Sequence, residues 1–542
     1  MKFQLPSIPE AERSPLVEAL LAIIDGQAQR LLQLEETVQQ LRDEIALLKG
    51  QKPRPNLQPS QLEAPPPRPP ATPTTKRPGS AKRAKNTTLV ITEDWLIEVP
   101  DAPAGSTHLR YEKYFVQDLV IEVKTTCYHR QRLQLPDGSS LLAPLPPNVL
   151  EGQHFGAALI AYVQYQYRQC NVTQPLLLEQ LHEMGIDISA GQISRLLTEG
   201  HEDFHREKEA VLTTGLQVSS YIGVDDTGAR HQGKNGYCTA IGNDLFAYFA
   251  STDSKSRLNF LHVLQGAQPG YVINETALAY FKLQGLAQAV GEQLNVEPRQ
   301  FENAAAWQAR LDELSITAKW HVRIATEGAL LGQIIAQGVS PNLVILSDGA
   351  PQFDLLVHAS CWIHAERPLA RLVPYNEEHR VAIAQVRQQI WELYRDLKAY
   401  RAKPDPTAKP SLTARFEALV AQKTSYPTSI GQVLKEMRAH QADLLRVLQR
   451  PEVPLHNNGM ESDIRGYVKV RKISGGTRSE AGRRGRDTFS SLKKTCRKLG
   501  VSFWAYLQDR IRGEGKIAWL PDLIRVRAGK EAAAVPAGAV PA

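Results

Sequence analysis

Hydrophobic residues between positions 16 and 49 recur with the spacing of a helical heptad. Counted from Ile24, the a positions are mostly β-branched (Ile24, Leu31, Val38, Ile45) and the d positions are mostly leucine (Gln27, Leu34, Leu41, Leu48). This combination favours a parallel two-stranded coiled coil. A helix packed on its own domain is the alternative, but no apolar pattern follows that could form an adjacent core. We therefore predict that residues 1–50 are an oligomerisation helix, most simply of a homodimer.

The next two segments differ sharply in composition. Residues 51–88 are rich in proline and basic side chains, which predicts an extended or disordered linker, serving either as a DNA tether or as a soluble spacer. Residues 89–150 alternate apolar and polar positions in short runs, which predicts the strands of a small β module. At the other end of the chain, residues 513–542 are a C-terminal tail, and the stretch 529–542, rich in Ala, Pro and Gly, is predicted to be disordered.

Helical spacing of apolar residues marks the region 151–210. A leucine-rich first helix would end at Gly185, a common C-terminal cap. Ser189 and Gln192 then form the pattern of a capping box, which opens a second helix. Two short helices around a glycine turn indicate either a helix-turn-helix or an ordinary helical hairpin. In a helix-turn-helix, the side chains facing a DNA major groove would be those of Gln192, Ser194 and Arg195.

Alternating runs between residues 218 and 254 predict a meander of three strands. The first run carries Asp225 and Asp226, which point to opposite faces, so alternation does not decide which one is functional. A mostly helical segment, 269–320, follows. A continuous apolar run at 343–346 then predicts a strand buried on both faces. This strand ends in Asp348, at the strand end where α/β sheets place their chemistry.

Charge is concentrated near the C-terminus, behind an all-helical block at 375–452. Residues 465–498 hold twelve Lys or Arg against two acids, whereas the whole chain has a net charge of +7. A solvated basic surface is the plain interpretation of such a run. Because Glu461 stands at the head of this track, we favour a polyanion partner, most simply nucleic acid.

Composition limits the class of protein. A chain of 542 residues with 42% hydrophobic and 22% charged residues predicts several folded domains. Its five cysteines are widely separated, which is not typical of a disulfide framework or of a zinc site. No apolar run approaches the ~20 residues of a membrane span. We expect a cytoplasmic protein associated with the nucleoid.

Three acids, Asp225, Asp348 and Glu461, are candidates for one site although more than 100 residues separate each from the next. A sheet that joins two strand ends, with a helix returning beside them, would bring the three together. Oxygen donors of this kind suit magnesium or manganese. Two such ions can support in-line phosphoryl transfer on nucleic acid.

With these residues in hand, the sequence resembles the DDE transposases of the insertion-sequence-66 (IS66) family. Asp225-Asp226-Thr227 resembles the Asp-Glu-Thr of that family, whose first acid is catalytic, and residues 347–349 resemble its Thr-Asp-Gly. Residues 361–365, Cys-Trp-Ile-His-Ala, and the motif Asn457-Asn458-x-x-Glu461 match later family motifs. Two features depart from the family: Cys127 stands alone where zinc ligands are usual, and serine follows Glu461 where arginine is usual.

The resemblance implies a multidomain α/β protein. Its catalytic core would be an RNase H-like domain, formed by residues 215–374 and 453–512 and interrupted by the α-helical insertion 375–452, with 269–320 as an added insert. The resemblance also implies two divalent metal ions, magnesium or manganese, held by Asp225, Asp348 and Glu461; we predict no zinc. Thr227, His364, Asn457 and Asn458 are possible accessory residues, and the DNA contacts would be Gln192, Ser194, Arg195, Arg465, Arg471, Lys472 and Arg478.

The implied function is a DNA transposase that binds the terminal inverted repeats of its element and catalyses strand cleavage and transfer. Its partners would be the double-stranded DNA of transposon ends and target, a second copy of the chain, and element-encoded helper proteins. Two rivals remain: a DNA-binding regulator or architectural protein with an inactive core, and a metal-dependent nuclease that cuts without joining.

Overall fold

The computed structural model describes residues 89–146, 149, 152 and 154–534, together with scattered positions between 14 and 41. The described positions from 15 to 41 have helical backbone, and Leu34, Val38 and Leu41 are exposed there. The rest of the predicted coiled coil and the linker 51–88 lie outside the described residues. Pairing of two such helices therefore stays a prediction.

Residues 89–146 contain one hairpin, formed by β1 (Arg132–Gln134) and β2 (Ser140–Leu142). The other runs predicted as strands have no ladder partner in the part of the chain that the structure describes, and their apolar side chains are exposed; Ile97 is 82% exposed and Val120 75%. A strand is stable only when its backbone is paired and its apolar face is covered. The structure thus has a single hairpin where alternation predicted a larger β module.

Four helices follow: α1 (Ala157–Arg168), α2 (Gln174–Glu183), α3 (Ala190–Thr198) and α4 (Glu202–Val218). Helices α2 and α3 are the two predicted around a glycine turn. Gly185 has φ +81°, which allows the chain to reverse after α2. Ser189 and Gln192 form the predicted capping box, and Leu177, Leu181 and Ile193 are buried between the helices.

A five-stranded mixed sheet forms the centre of the fold. It contains β3 (Tyr221–His231), β4 (Lys234–Gly242), β5 (Ala247–Thr252), β8 (Val344–Ser347) and β9 (Val357–Ser360) in the order β5-β4-β3-β8-β9. Strands β3, β4 and β5 are antiparallel neighbours, whereas β8 runs parallel to both β3 and β9. The predicted meander and the predicted buried strand therefore belong to one sheet.

The segment between β5 and β8 packs on one face of this sheet. Its elements are α5 (Arg257–Gln265), β6 (Tyr271–Val272), α6 (Glu275–Leu283), α7 (Gln288–Leu294), β7 (Gln300–Phe301), α8 (Ala304–Glu313) and α9 (Lys319–Ala336). Strands β6 and β7 pair with each other. Phe281, Trp307 and Ile324 share one core with Ile222 and Val224 of β3. The predicted insert 269–320 is thus part of the main core.

A second core belongs to the helical block after β9. It is built from α10 (Trp362–Arg371), α11 (Glu377–Ala402), α12 (Lys409–Ala421), α13 (Ile430–Ala439) and the short α14 (Gln441–Leu444). Trp362, Tyr394 and Phe416 lie at its centre. The block is all-helical, as its sequence predicted, and α10 connects it to the sheet.

The chain then returns to the sheet through α15 (Asn458–Ser474), α16 (Glu480–Leu499), α17 (Phe503–Arg512) and α18 (Leu520–Ala534). Helix α15 packs Met460, Ile464 and Tyr467 on the opposite face of β4 and β5, against Cys238 and Phe249. Helix α18 continues into the stretch that was predicted to be disordered from residue 529. Its first turns are anchored by buried apolar side chains, and the alanines after them favour helix.

Helix α16 covers the edge strand β5 with side chains. Asp487, Ser491 and Thr495, spaced four residues apart, accept hydrogen bonds from backbone N–H groups of β5 at 2.7, 2.9 and 3.1 Å. An uncovered edge would expose unpaired backbone groups, so the stripe completes the sheet. Among the described residues, every helix is too short or too polar to cross a lipid bilayer.

Candidate active site

Asp225 lies on the face of β3 that is covered by helix α15. Ala240, directly opposite Asp225 on β4, is buried in one cluster with Met460 of α15. The carboxylate accepts a hydrogen bond from the backbone N–H of Asp226 at 2.8 Å. Burial raises the pKa of Asp225 to about 6; the Asp226 N–H opposes this increase, and the negative charges of Asp348 and Glu461 add to it.

Asp226 points to the other face, as alternation requires. Its Oδ1 accepts a hydrogen bond from the Thr239 hydroxyl at 2.6 Å, and its Oδ2 accepts one from the Gln352 amide at 3.2 Å. Burial raises the pKa of this carboxyl as well. Both oxygens of Asp226 are already hydrogen-bonded and the group faces away from α15, so Asp225 remains the candidate catalytic acid.

Asp348 follows strand β8, next to the position of Asp225. The parallel register pairs Gly223 with Leu346, and Asp225 and Asp348 each follow two residues beyond this last pair. Asp348 is exposed, and its Oδ1 accepts a hydrogen bond from the Ala350 N–H at 3.1 Å. Gly349 has φ +92°, a conformation that favours glycine and turns the chain immediately after the acid.

Glu461 sits in the first turn of α15, whose N-terminus is fixed on β3. The Asn457 side-chain amide donates a hydrogen bond to the Val224 carbonyl at 2.7 Å. A Cβ atom at Gly223 would lie 2.4 Å from Asn457 Oδ1, so only glycine permits this approach. Asn457 therefore sets the position of the helix, whereas Asn458 begins it and is only partly buried.

Two guanidinium groups and one imidazole lie around the Glu461 carboxylate, and none of them is within hydrogen-bonding distance. His364 Nε2 and Arg367 Nη2 are each 3.8 Å from Oε1, and Arg465 Nη2 is 3.6 Å from Oε2. Oε1 is buried and has no hydrogen-bond partner. Burial, together with Arg367, lowers the pKa of His364, so its imidazole is neutral at pH 7. Arg367 was not among the predicted site residues, although it lies one helical turn after His364.

Asp225, Asp348 and Glu461 offer the oxygen donors that divalent metal ions prefer, but their side chains do not enclose a common position. No three Asp, Glu, His or Cys side chains in the described parts of the chain are close enough to enclose a metal ion. The donors are nevertheless hard oxygens, which suit magnesium or manganese. Glu461 Oε1, a buried carboxylate oxygen without a hydrogen-bond partner, fits a ligand of this kind.

Part of the predicted basic track forms a stripe that leads away from Glu461. Arg465, Lys469 and Lys472 follow it at helical spacing on α15, and all three are exposed. Arg478 is exposed in the loop after the helix. Arg471 differs, because its guanidinium donates a hydrogen bond to the Gly228 carbonyl and so holds α15 on β3.

Most of the remaining basic residues are engaged by other groups of the protein. Lys494 and Lys498 form ion pairs with Asp463 at 3.2 and 2.8 Å, and Lys493 donates to the Arg168 carbonyl at 2.7 Å. Arg484 pairs with Glu202, and Arg486 is buried. Only part of the run 465–498 is therefore exposed to a polyanion partner, and such a partner stays a prediction. Linear charge counting could not detect partners that are distant in sequence.

The other predicted contact residues lie outside this cluster of acids. The Gln192 side chain is occupied by its capping box, where Oε1 accepts the Ser189 N–H at 2.8 Å. Ser194 is partly buried and Arg195 is exposed on α3. Thr227 shares the face of Asp225, two residues further along β3, and is partly buried. Trp362, next to His364 in sequence, is a core residue whose indole donates to the Leu444 carbonyl at 2.8 Å.

Comparison with known proteins finds two similarities. The family model described as "Transposase IS66 family" matches residues 347–484, a range that includes Asp348, the helical block and Glu461. An uncharacterized protein of Sinorhizobium fredii, y4jO, is 39% identical over 322 residues, which are 59% of this chain and 100% of that relative.

Proposed function

Because this chain belongs to the IS66 family of transposases, we propose that it binds the terminal inverted repeats of an insertion sequence and catalyses metal-dependent cleavage and transfer of DNA strands. One observation carries the proposal: Asp225 on β3, Asp348 after the parallel strand β8 and Glu461 on helix α15 come together from three distant parts of the chain. Burial raises the pKa of Asp225, and the charges of Asp348 and Glu461 add to the increase. A partly buried cluster of like charges is unfavourable without a cation, so its presence beside the central strand supports a catalytic role.

The sheet supports an RNase H-like core. Three antiparallel strands, β3 to β5, are followed by β8 and β9 running parallel beside β3, in the order β5-β4-β3-β8-β9. Asp225 lies on the central strand, Asp348 directly after its parallel neighbour, and Glu461 on a helix packed across the central strand. The block 375–452 is then an insertion between the second and third acids.

Asp225, Asp348 and Glu461 would hold two magnesium or manganese ions. When bound, such ions activate an attacking water or sugar hydroxyl and stabilise a leaving 3′ oxygen. The Glu461 Oε1 atom, buried and without a hydrogen bond, is available as a ligand. His364 is neutral and faces this oxygen, where it can orient the carboxylate, and Arg367 offers a positive charge to a nearby phosphate.

DNA contacts divide between two surfaces. Arg465, Lys469 and Lys472 would neutralise backbone phosphates along a path that starts at Glu461, which gives affinity without reading sequence. Arg195 on α3 would contact base edges, because it is exposed on the second helix of the predicted helix-turn-helix. A dimer formed through residues 1–50 would hold two element ends together.

The test is cleavage of a duplex that carries an end of the encoding element, with magnesium or manganese. Asp225→Asn, Asp348→Asn and Glu461→Gln should each lose cleavage and strand transfer by several orders of magnitude while still binding the duplex, since such sites act as a unit. Asp226→Asn is the matched control and should keep much more activity.

The same assay separates the rival functions. Cleavage that persists in all three acid variants would refute the metal mechanism. Tight, specific binding by a wild-type protein that never cleaves would support a regulator with an inactive core. Cleavage of the duplex without joining of pre-cut ends to target DNA would support a nuclease.

A further inference from the structure

A chain of buried hydrogen bonds runs behind Asp348. The Gly349 N–H donates to the Ser347 hydroxyl oxygen at 3.0 Å. Ser347 Oγ is 2.8 Å from His358 Nε2, and His358 Nδ1 is 3.0 Å from Asp443 Oδ2. Ser347 is fully buried and His358 nearly so. The chain thus starts at the turn that carries Asp348 and ends on an acid about 95 residues away in sequence.

The Asp443 carboxylate sets the direction of its own hydrogen bond. A carboxylate only accepts, so His358 donates from Nδ1 to Asp443. In the tautomer that carries its proton on Nδ1 alone, Nε2 accepts and the Ser347 hydroxyl donates to it. This leaves the Ser347 oxygen free to accept the Gly349 N–H. Hydrogen bonds aligned in one direction polarise and strengthen one another.

The arrangement of serine, histidine and aspartate is not a hydrolase triad. The Ser347 side chain has no exposed surface, and its oxygen already accepts a backbone N–H. A nucleophile must reach a substrate, and this hydroxyl cannot. The chain of contacts is therefore a support for the adjacent turn.

Asp443 belongs to the helical insertion, on the short helix α14. Arg446 stabilises it: one guanidinium nitrogen is 3.2 Å from Asp443 Oδ1, and Nε donates to the His358 carbonyl at 3.0 Å. His440 is also close, with Nδ1 3.7 Å from Asp443 Oδ2. The insertion also binds α10, because the Trp362 indole donates to the Leu444 carbonyl. It is thus attached to the sheet at β9 and at α10.

We propose that Asp443, His358 and Ser347 are positioning residues that fix the turn of Asp348, so that the helical insertion supports the active site directly. This inference rests on the proposed function. Asp348 is exposed, and the hydrogen bond from Ala350 fixes only its own side chain within the turn. Loss of a group that orients a metal ligand lowers metal affinity or activity about 10–100-fold, and we expect this range here.

The experiment uses the full-length protein and four variants: Ser347→Ala, Ser347→Thr, Asp443→Ala and Asp396→Asn. Ser347→Thr keeps the hydroxyl and should rescue the alanine variant. Asp396→Asn is the matched control, because its ion pair with Arg415 lies within the insertion and both side chains are about half exposed. Three quantities are measured: kcat and KM for cleavage of the end duplex, Mn²⁺ bound in the presence of pre-cut end DNA, and the urea midpoint.

Ser347→Ala and Asp443→Ala should lower kcat and weaken Mn²⁺ binding about 10–100-fold, with KM for DNA changed less than about 2-fold because the DNA-contacting side chains are untouched. Ser347→Thr and Asp396→Asn should resemble wild type. An unchanged kcat and Mn²⁺ affinity in Ser347→Ala would overturn the proposal. A loss of kcat that the fraction of unfolded protein fully explains would also overturn it. So would an equal loss in Ser347→Ala and Ser347→Thr.

The two hypotheses fail in different ways. A wild-type protein that binds Mn²⁺ but does not cleave contradicts the proposed function, while the Mn²⁺ affinity of Ser347→Ala still decides the positioning role. A wild-type protein that binds no Mn²⁺ overturns both. Wild-type cleavage with normal Mn²⁺ binding in Ser347→Ala and Asp443→Ala refutes only the positioning role.

Discussion

Replacing Asp225 with asparagine should make the metal-free protein more stable while it abolishes cleavage. The pKa of this carboxyl is raised from 3.8 to about 6, mainly by burial. Ionising such a group in the folded state costs up to about 3 kcal/mol relative to the unfolded chain. Partial exposure screens the charge, so we expect a gain of about 1–3 kcal/mol for the neutral amide at pH 8. The amide oxygen can still accept the Asp226 N–H.

The gain should depend on pH in a defined direction. A carboxyl with a raised pKa binds its proton more tightly in the folded state than in the unfolded state. The contribution of Asp225 to the free energy of unfolding therefore falls as pH rises from about 4 to about 6 and then levels off. The asparagine in Asp225→Asn does not titrate, so this decrease is absent from the variant. The variant's free energy of unfolding should exceed that of the wild-type protein by nearly nothing at pH 4, by part of the full difference at pH 5 and by all of it above pH 7.

Urea unfolding with a chelator present measures this difference. Asp226→Asn is the matched control, because the Asp226 carboxylate accepts hydrogen bonds from Thr239 and Gln352 that an amide cannot fully accept. It should gain less than Asp225→Asn or lose stability. Adding Mn²⁺ should stabilise the wild-type protein and leave Asp225→Asn unchanged. A gain of equal size at pH 4 and pH 8, or none at pH 8, would refute the electrostatic reasoning.

Three other substitutions test the DNA surfaces and the packing of α15. The double variant Lys469→Ala, Lys472→Ala should bind any duplex more weakly. The slope of log binding constant against log salt concentration should also flatten by about two, since each phosphate contact contributes about 0.9. An unchanged slope would show that DNA binds at another surface. Arg195→Ala should reduce the preference for element ends over random DNA by about 1–3 kcal/mol in competition binding, whereas unchanged specificity would make α3 a structural helix. Gly223→Ala should lower the urea midpoint by an amount equivalent to about 1–3 kcal/mol and reduce cleavage, because its methyl group would collide with Asn457; a wild-type midpoint would show that α15 shifts freely.

Local patterns in the sequence predicted elements well where neighbours along the chain decide the structure. The capping box at Ser189 and the glycine turn at Gly185 depend on residues within one helical turn, and both are present. The alternating runs of β3, β4 and β5 likewise formed strands. Outside that region, alternation failed between 89 and 130, because strand pairing needs a partner that the sequence alone does not supply.

Contacts between distant residues could not be predicted in the same way. Alternation left Asp225 and Asp226 equivalent, and the family resemblance favoured Asp225. The packing of Met460 on one face of β3 then shows which acid faces α15. Asp463 is well separated in sequence from Lys494 and Lys498, so a count of charges treated those lysines as free. Local sequence gives no signal for such pairs, because each depends on how the sheet and helices are assembled.

A different part of the fold holds each of the three acids in position. These parts are backbone and packing contacts rather than reactive groups. Asp225 is fixed by the central strand, Asp348 by the turn after β8, and Glu461 by the approach of α15 to Gly223. A substitution in one support should therefore displace one carboxylate and leave the other two in place. If the proposed metal-dependent site acts as a unit, a displacement at any one support should slow the reaction. On this proposal, the glycine at position 223 and the acid at position 461 serve the same reaction.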